Sequence, residues 1–153
     1  MRLSRFLTMR KRDEVNEKSE YIFGILAHNS VFSSINHADL HLLALMMDIK
    51  TKKNGELLCG RGDRATEIYI LVRGEINIQT GDSFLTKSVG NVVGIYGLFR
   101  TGRTRSATVY AKGDIEYLVL DYPRFERFLL SFPEAMFNLF QVVIRDLTEA
   151  ENE

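Results

Sequence analysis

The stretch from Val93 to Val109 reads V-G-I-Y-G-L-F-R-T-G-R-T-R-S-A-T-V. A glycine-opened turn, Gly94-Ile95-Tyr96-Gly97-Leu98, leads through a short gap to Arg105-Ser106-Ala107 and the small-polar start of a strand. This combination suits the capture of one phosphate. A guanidinium meets an anion with two parallel charge-assisted hydrogen bonds. Backbone amides in a tight turn can point at the same anion, and the Ser106 hydroxyl adds a donor. Arg100, Arg103 and Arg105 leave the segment positive, with no acid to receive a sugar hydroxyl. The plainer alternative is that Arg105 pairs with a carboxylate such as Asp63 or Asp82, while Gly94 and Gly97 only permit the turn.

The elements around this segment read as helix, then strands, then helix. Val15, Tyr21, Ile22, Ile25 and Leu26 make a partial helical stripe over Asp13 to about His28. Asn36 caps a second helix over Asp39 to Asp48, with Leu40, Leu43, Ala44 and Met47 on one face. The period then changes. Short β-branched or aromatic runs at 57–58, 68–72, 76–78, 84–85, 108–110 and 115–120 alternate with turn signals such as Arg73-Gly74, Gly81-Asp82 and Lys112-Gly113-Asp114. Such short strands with frequent turns predict an antiparallel sandwich or barrel, and no βαβ alternation points to a parallel nucleotide-binding sheet. Asp121-Tyr122-Pro123 opens a helix over Arg124 to Leu130, which stops before Pro133. A last helix carries the stripe Met136, Phe137, Phe140, Val143, Ile144 and Leu147.

At 153 residues the chain is long enough to bury about two-thirds of its unfolded surface around one core. The expected division is a basic segment and helix over 1–30 and one domain over 31–150, with a barrel at about 50–121 and helices at about 122–150. Twenty basic and twenty acidic side chains cancel, so no global field draws the chain to nucleic acid or membrane. One cysteine, Cys59, excludes an internal disulfide framework. With no secretory signal in the first residues and no long apolar run, the expected location is cytoplasmic. Arg2, Arg5, Arg10, Lys11 and Arg12 among Leu3, Phe6, Leu7 and Met9 would suit a membrane-peripheral contact, or simply a solvated terminus.

The ordered set of features resembles the cyclic nucleotide-binding domain family, regulatory modules that bind cAMP or cGMP. Val31-Phe32-Ser33-Ser34-Ile35 with Asp39-Leu40 resembles the lead-in to the first barrel helix. Gly55-Glu56, Gly62-Asp63 and Tyr69 to Glu75 are similar to the spaced glycines of the opening strands. Val89 to Gly94 resembles the approach to a phosphate-binding cassette, which Arg105 to Val109 close. The resemblance implies a mainly β fold with flanking helices: an eight-stranded jelly-roll-like β-roll. It places the ligand at Gly94, Ile95, Tyr96, Gly97, Leu98, Arg105, Ser106 and Ala107.

Three departures bear on the ligand. Ile95 stands where the family usually has a glutamate that accepts from the ribose 2′-hydroxyl. Gly97 replaces the usual alanine, and Thr104 the proline before the arginine, with one extra residue before Arg105. Loss of a hydrogen bond to a charged group weakens binding about ten- to 150-fold. Three readings follow. The chain is a divergent cAMP or cGMP sensor, compensated by Tyr96 or by Asn138, Gln141 and Arg145. Or it is a degenerate module for protein association, or a sensor of another anion.

Other chemistry finds little support. The three histidines, His28, His37 and His41, all precede the first strand, so a cupin-like metal barrel is not expected. His37 and His41 share a helix face without a third ligand, and Cys59 reads as a small buried hydrophobe. No Walker loop or nucleophile elbow is present, so neither catalysis nor a cofactor is expected. Arg61-Gly62-Asp63 falls at a turn between strands and is not read as an adhesion motif. No helix-turn-helix pattern follows the last helix, so no direct nucleic-acid binding is expected. The expected partners are a small anionic nucleotide, a second copy through the C-terminal helix, or a partner or parent transporter, channel or enzyme. The last helix's stripe could instead only cap the barrel.

Overall fold

The computed structural model describes residues 11–99 and 102–152. The expectations for Met1 to Arg10 and for Arg100 therefore lie outside the described residues. Helix α1, Lys11–Ala27, buries Ile22 and Leu26 against helix α2, His37–Met46. Between them Phe32–Ser34 forms a single 3₁₀ turn. Asn36 caps α2 as its side chain accepts from the Asp39 amide at 2.9 Å. Leu40, Leu43 and Ala44 are buried, as the stripe predicts.

The expected end of α2 is corrected. Asp48–Lys52 is strand β1, paired along its whole length with the strand near the other end of the barrel. Its side chains are largely exposed, so no apolar alternation marks it in the sequence.

The remaining strands are β2 (Leu57–Cys59), β3 (Glu67–Thr80), β4 (Ser83–Lys87), β5 (Val92–Val93) and β6 (Thr108–Asp121). All pairings are antiparallel in the order β1-β6-β3-β4, with β2 added on β6 and β5 on β3. The expected turns at Arg73-Gly74 and Lys112-Gly113-Asp114 do not end strands. They are irregularities inside β3 and β6, where the register slips around Leu71, Arg73 and Glu75. Gly74 and Gly113 take φ of 89° and 76°, and a side chain on Gly74 would meet the Asp114 carbonyl at 2.5 Å. Two long interrupted strands thus do the work of four short ones, so the eight strands that the resemblance implies are drawn as six. Gly81-Asp82 does make a two-residue hairpin turn between Thr80 and Ser83.

Asp121 accepts from the Arg124 amide at 2.8 Å and opens helix α3, Tyr122–Ser131, with proline in its first turn. Helix α4, Pro133–Asn152, follows at a break of 117°. No single described helix is long and apolar enough to cross a membrane. The face of α4 that caps the domain is Ala135, Leu139 and Val143. Of the predicted stripe only Val143 is buried. Met136, Phe137, Phe140, Ile144 and Leu147 are exposed, which corrects the capping reading of that stripe.

Two apolar clusters result. One joins α1, α2, α3 and α4 to one end of the barrel, and includes Ile95 and Leu98. The other fills the barrel from Cys59, Tyr69, Ile76, Val109 and Tyr117.

Candidate ligand site

Arg105 lies at the centre of the site and is only 7% exposed. Its backbone is clamped on both sides: its amide donates to the Asp63 carbonyl at 2.7 Å, and its carbonyl accepts from Gly62 at 2.9 Å. The guanidinium lies over the Tyr69 ring, 5.1 Å from its centroid. Nη2 donates to the Glu67 backbone carbonyl at 2.7 Å. Nη1 is buried and has no hydrogen-bond partner.

No ion pair joins Arg105 to Asp63 or Asp82 among the described residues. Asp63 instead accepts from Gly60 within its own turn at 3.0 Å. A buried cation with one unpaired donor is a rare arrangement, because each unsatisfied charged group costs more than the usual 1–3 kcal/mol or so. Arg105 borders a cavity of about 190 Å³, and Cys59, Gly94, Tyr96, Ser106 and Ala107 also contribute to its walls.

Gly94 opens the turn for a steric reason. Its φ is 90°, and any side chain there would collide with Arg105 Nη1 and press on the Glu67 carbonyl at 3.1 Å. The Gly94 carbonyl accepts from the Tyr122 hydroxyl at 2.6 Å. Burial raises the Tyr122 hydroxyl above its usual pKa, with Arg105 opposing, so it remains a donor. Gly97 is explained by the same hydroxyl, which lies 2.6 Å from where an alanine Cβ would stand.

Ile95 and Leu98 do not line the cavity. Ile95 is 4% exposed and belongs to the helix-side core with Leu98. Both are apolar residues of the Tyr96–Phe99 turn region, and its 3₁₀ geometry turns them inward. The Leu98 amide is spent on the Ile95 carbonyl at 3.2 Å, so it does not serve an anion. The expected site therefore separates. Gly94, Tyr96, Gly97, Arg105, Ser106 and Ala107 come together, and Ile95 and Leu98 support them from behind.

The other arginine described here has a different task. Arg103 pairs with Glu126 of α3 and stacks on Tyr122, with its carbon 5.3 Å from the ring centroid. Asn138 donates to the Ser34 carbonyl at 3.3 Å, Arg145 leans on Asp146 at 3.4 Å, and Gln141 is exposed. None of these three faces the cavity.

Residues unmarked by the sequence reading also shape the site: Tyr122, and Asn29. Asn29 donates to the Gly90 carbonyl at 3.0 Å and accepts from the Val31 amide at 2.9 Å, which ties the approach to the turn onto the helices. The available signal was an asparagine between an apolar helical stripe and the Val31-Phe32 run.

His37 and His41 pack on Phe23, the latter stacked at 3.7 Å, and so join α1 to α2. Among the described residues no group of three or more histidine, cysteine or acidic side chains could hold a metal ion. Burial raises the Cys59 thiol above its ordinary pKa, although Arg105 pulls the other way.

With this geometry in place, the chain's relatives can be set beside it. Residues 49–132 match the cyclic nucleotide-binding domain family, and the chain belongs to that family. Its members are regulatory ligand-binding modules rather than catalytic ones, and the β-roll with flanking helices is the family's fold.

The chain is similar to the human cyclic nucleotide-gated channel beta-3, at 24% identity over 119 residues, covering 74% of this chain and 15% of that protein. It is also similar to the cAMP-activated global transcriptional regulator CRP of Salmonella typhimurium, at 29% identity, covering 59% of this chain and 46% of that protein. The chain thus spans less than half the length of these relatives.

Two solved structures share its fold at a TM-score of 0.75. One is the regulatory domain of Toxoplasma gondii PKA with cAMP, at 15% identity, covering 90% of this chain and 52% of that one. The other is the regulatory subunit of a cAMP-independent protein kinase A from Trypanosoma brucei, at 17% identity, covering 86% and 46%. The same fold serves both, so the ligand is argued from the site itself.

Proposed function

We propose that this chain senses a cyclic nucleotide, cAMP or cGMP, whose phosphate is held by Arg105. The observation that carries this reading is the buried, unpartnered Nη1 of Arg105, a residue that borders the cavity. A retired pocket would have closed a protein acceptor onto that donor, because leaving it unpaired is costly. Gly94 leaves room for the guanidinium and the Glu67 carbonyl holds its Nη2, so that an anion on Nη1 would complete it.

A second reading is favoured by the cavity's size. At about 190 Å³ it is smaller than ordinary ligand pockets of roughly 300–1,000 Å³. That volume suits a smaller phosphate or carboxylate. The two readings are separated by ligand-induced thermal shifts with cAMP, cGMP and inorganic phosphate.

A ligand at a hundred times its Kd stabilises the fold by about 2.7 kcal/mol. For a chain of this length that raises Tm by roughly 5–11 °C. The proposal expects the shift with a nucleotide and its loss in Arg105→Ala. A shift with phosphate alone selects the smaller anion.

In this reading occupancy is relayed through α4. Phe99, at the end of the cassette turn, packs edge-on against Phe140 of α4, with ring centroids 5.7 Å apart. The exposed residues Met136, Phe137, Ile144 and Leu147 then serve a second copy of the chain or the rest of a larger channel, transporter or regulator. The ligand shifts an equilibrium between positions of α4. The proposal places the domain in the cytoplasm, with Cys59 reduced, and gives it neither catalysis nor direct contact with nucleic acid.

A further inference from the structure

Strand β3 alternates between the two apolar clusters. Ile68 and Ile70 join the helix-side core, and Tyr69 and Leu71 join the barrel cluster. Glu67 stands two residues before Tyr69, so the two share a face, and the Tyr69 hydroxyl donates to Glu67 Oε1 at 2.7 Å. The ring is fixed by its neighbours. Pairing sets Tyr69 opposite Val93 of β5 and Val119 of β6, and Tyr117 meets it edge-on with centroids 5.5 Å apart. Burial first, and then the bond to Glu67, raises the hydroxyl above its usual pKa, so the phenol stays protonated and its ring uncharged.

Arg105 uses this pair twice. Its Nη2 donates to the Glu67 backbone carbonyl at 2.7 Å, and its guanidinium carbon lies 5.1 Å from the Tyr69 ring centroid. A buried cation is usually paired with a carboxylate. A carboxylate would occupy N–H donors and repel an anionic ligand. An aromatic face does neither. It attracts the cation through its quadrupole, takes no donor and brings no net charge. The Glu67 carboxylate is meanwhile engaged by the phenol, and it makes no ion pair among the described residues. Neither Tyr69 nor Glu67 borders the cavity of about 190 Å³.

We propose that Tyr69 is a positioning residue of the anion site: its ring holds the Arg105 guanidinium in place of a counter-ion, and its bond to Glu67 fixes the ring, so that Nη1 is left for the ligand. This rests on the reading that Arg105 holds the phosphate of a cyclic nucleotide. Tyr69 acts on that ligand only through Arg105. The anion then meets a cation whose charge no protein acid has already answered.

The test is calorimetric titration of wild type, Tyr69→Leu and Tyr69→Phe with cAMP and cGMP, with urea denaturation of each variant to establish that it is folded. Leucine is apolar but has no π face, and it should weaken nucleotide binding by about 5- to 30-fold. Phenylalanine keeps the face and should restore binding to within about threefold of wild type. Wild-type affinity in Tyr69→Leu, or a Tyr69→Phe variant that binds no better than Tyr69→Leu, overturns the role of the ring while the Arg105 site stands.

A second measurement needs no ligand and serves if Tyr69→Leu fails to fold. Nitrogen-15-edited NMR of the free protein should show the Arg105 guanidinium protons moved upfield by the ring current, in wild type and in Tyr69→Phe alike. Unshifted protons in wild type overturn the proposal. If wild type binds neither nucleotide, the sensor reading fails and this inference fails with it.

Discussion

The Tyr122 hydroxyl donates to the Gly94 carbonyl at 2.6 Å, joining the first residue of α3 to the glycine that lets Arg105 approach the turn. The same oxygen fills the space where a side chain at residue 97 would begin, 2.6 Å away. Helix α3 and the cassette turn are therefore fitted to each other through one phenol, and a substitution on either side is felt on the other.

That fit makes the effects of Gly97 and Tyr122 non-additive. Gly97→Ala should cost about 1–3 kcal/mol, because a buried, hydrogen-bonded phenol has to move. Tyr122→Phe should cost about 1 kcal/mol for the lost bond. In the double variant the alanine gains its space, so the sum should be undershot by at least about 1 kcal/mol in urea denaturation. Simple additivity would mean that the two residues do not meet.

Ile95→Glu places a carboxylate in the core that Ile95 now fills. Removing the buried side chain and adding a charge should destabilise the fold by about 2–4 kcal/mol, or roughly 5–15 °C in Tm. Tighter cyclic nucleotide binding at unchanged stability would instead show that residue 95 turns towards the ligand.

Much of this was legible in the sequence, and the exceptions have physical causes. Asn36 and Asp121 mark helix starts because capping is a local interaction, and α2 and α3 begin directly after them, two residues before the expected bounds. Strand β1 was hidden because its residues are mostly exposed and are held by backbone pairing with Tyr117 and its neighbours. Gly74 and Gly113 signalled irregular backbone correctly, but one sequence does not show that partner strands continue across it.

At the site, Arg105 and Gly94 stood out through residue type and spacing. The inward turn of Ile95 and Leu98 did not, since it depends on helices far along the chain. Tyr122 reaches the site only through tertiary packing.

Cys59 reports on the cavity it lines. Because burial raises its pKa, its reaction with iodoacetamide at pH 8 should be about tenfold or more slower than that of a free thiol. A saturating site ligand should slow it further, as followed by intact-mass spectrometry. Rapid labelling that a ligand leaves unchanged would place the thiol outside the cavity.

Acid should loosen α1 from the barrel. Lys18 donates to Asp48 at 2.7 Å, and this bond holds the Asp48 carboxyl below its ordinary pKa of 3.8. A depressed folded pKa gives stability that is fully present above 3.8 and is lost as pH falls through the lower folded value. The pair is largely exposed, so its share is small, within about 1 kcal/mol. Lys18→Ala should therefore lower Tm by a few degrees or less at pH 6 and by nothing measurable near pH 2. An equal deficit at both pH values would assign the loss to packing.

The central claim is that Arg105 anchors the phosphate of a cyclic nucleotide. Isothermal calorimetry of the purified chain with cAMP and with cGMP, beginning with cAMP in millimolar excess, tests it most directly. The account predicts saturable heat with at least one nucleotide in wild type and none with either in Arg105→Ala. A flat wild-type trace for both, or the same heat from Arg105→Ala, would contradict it.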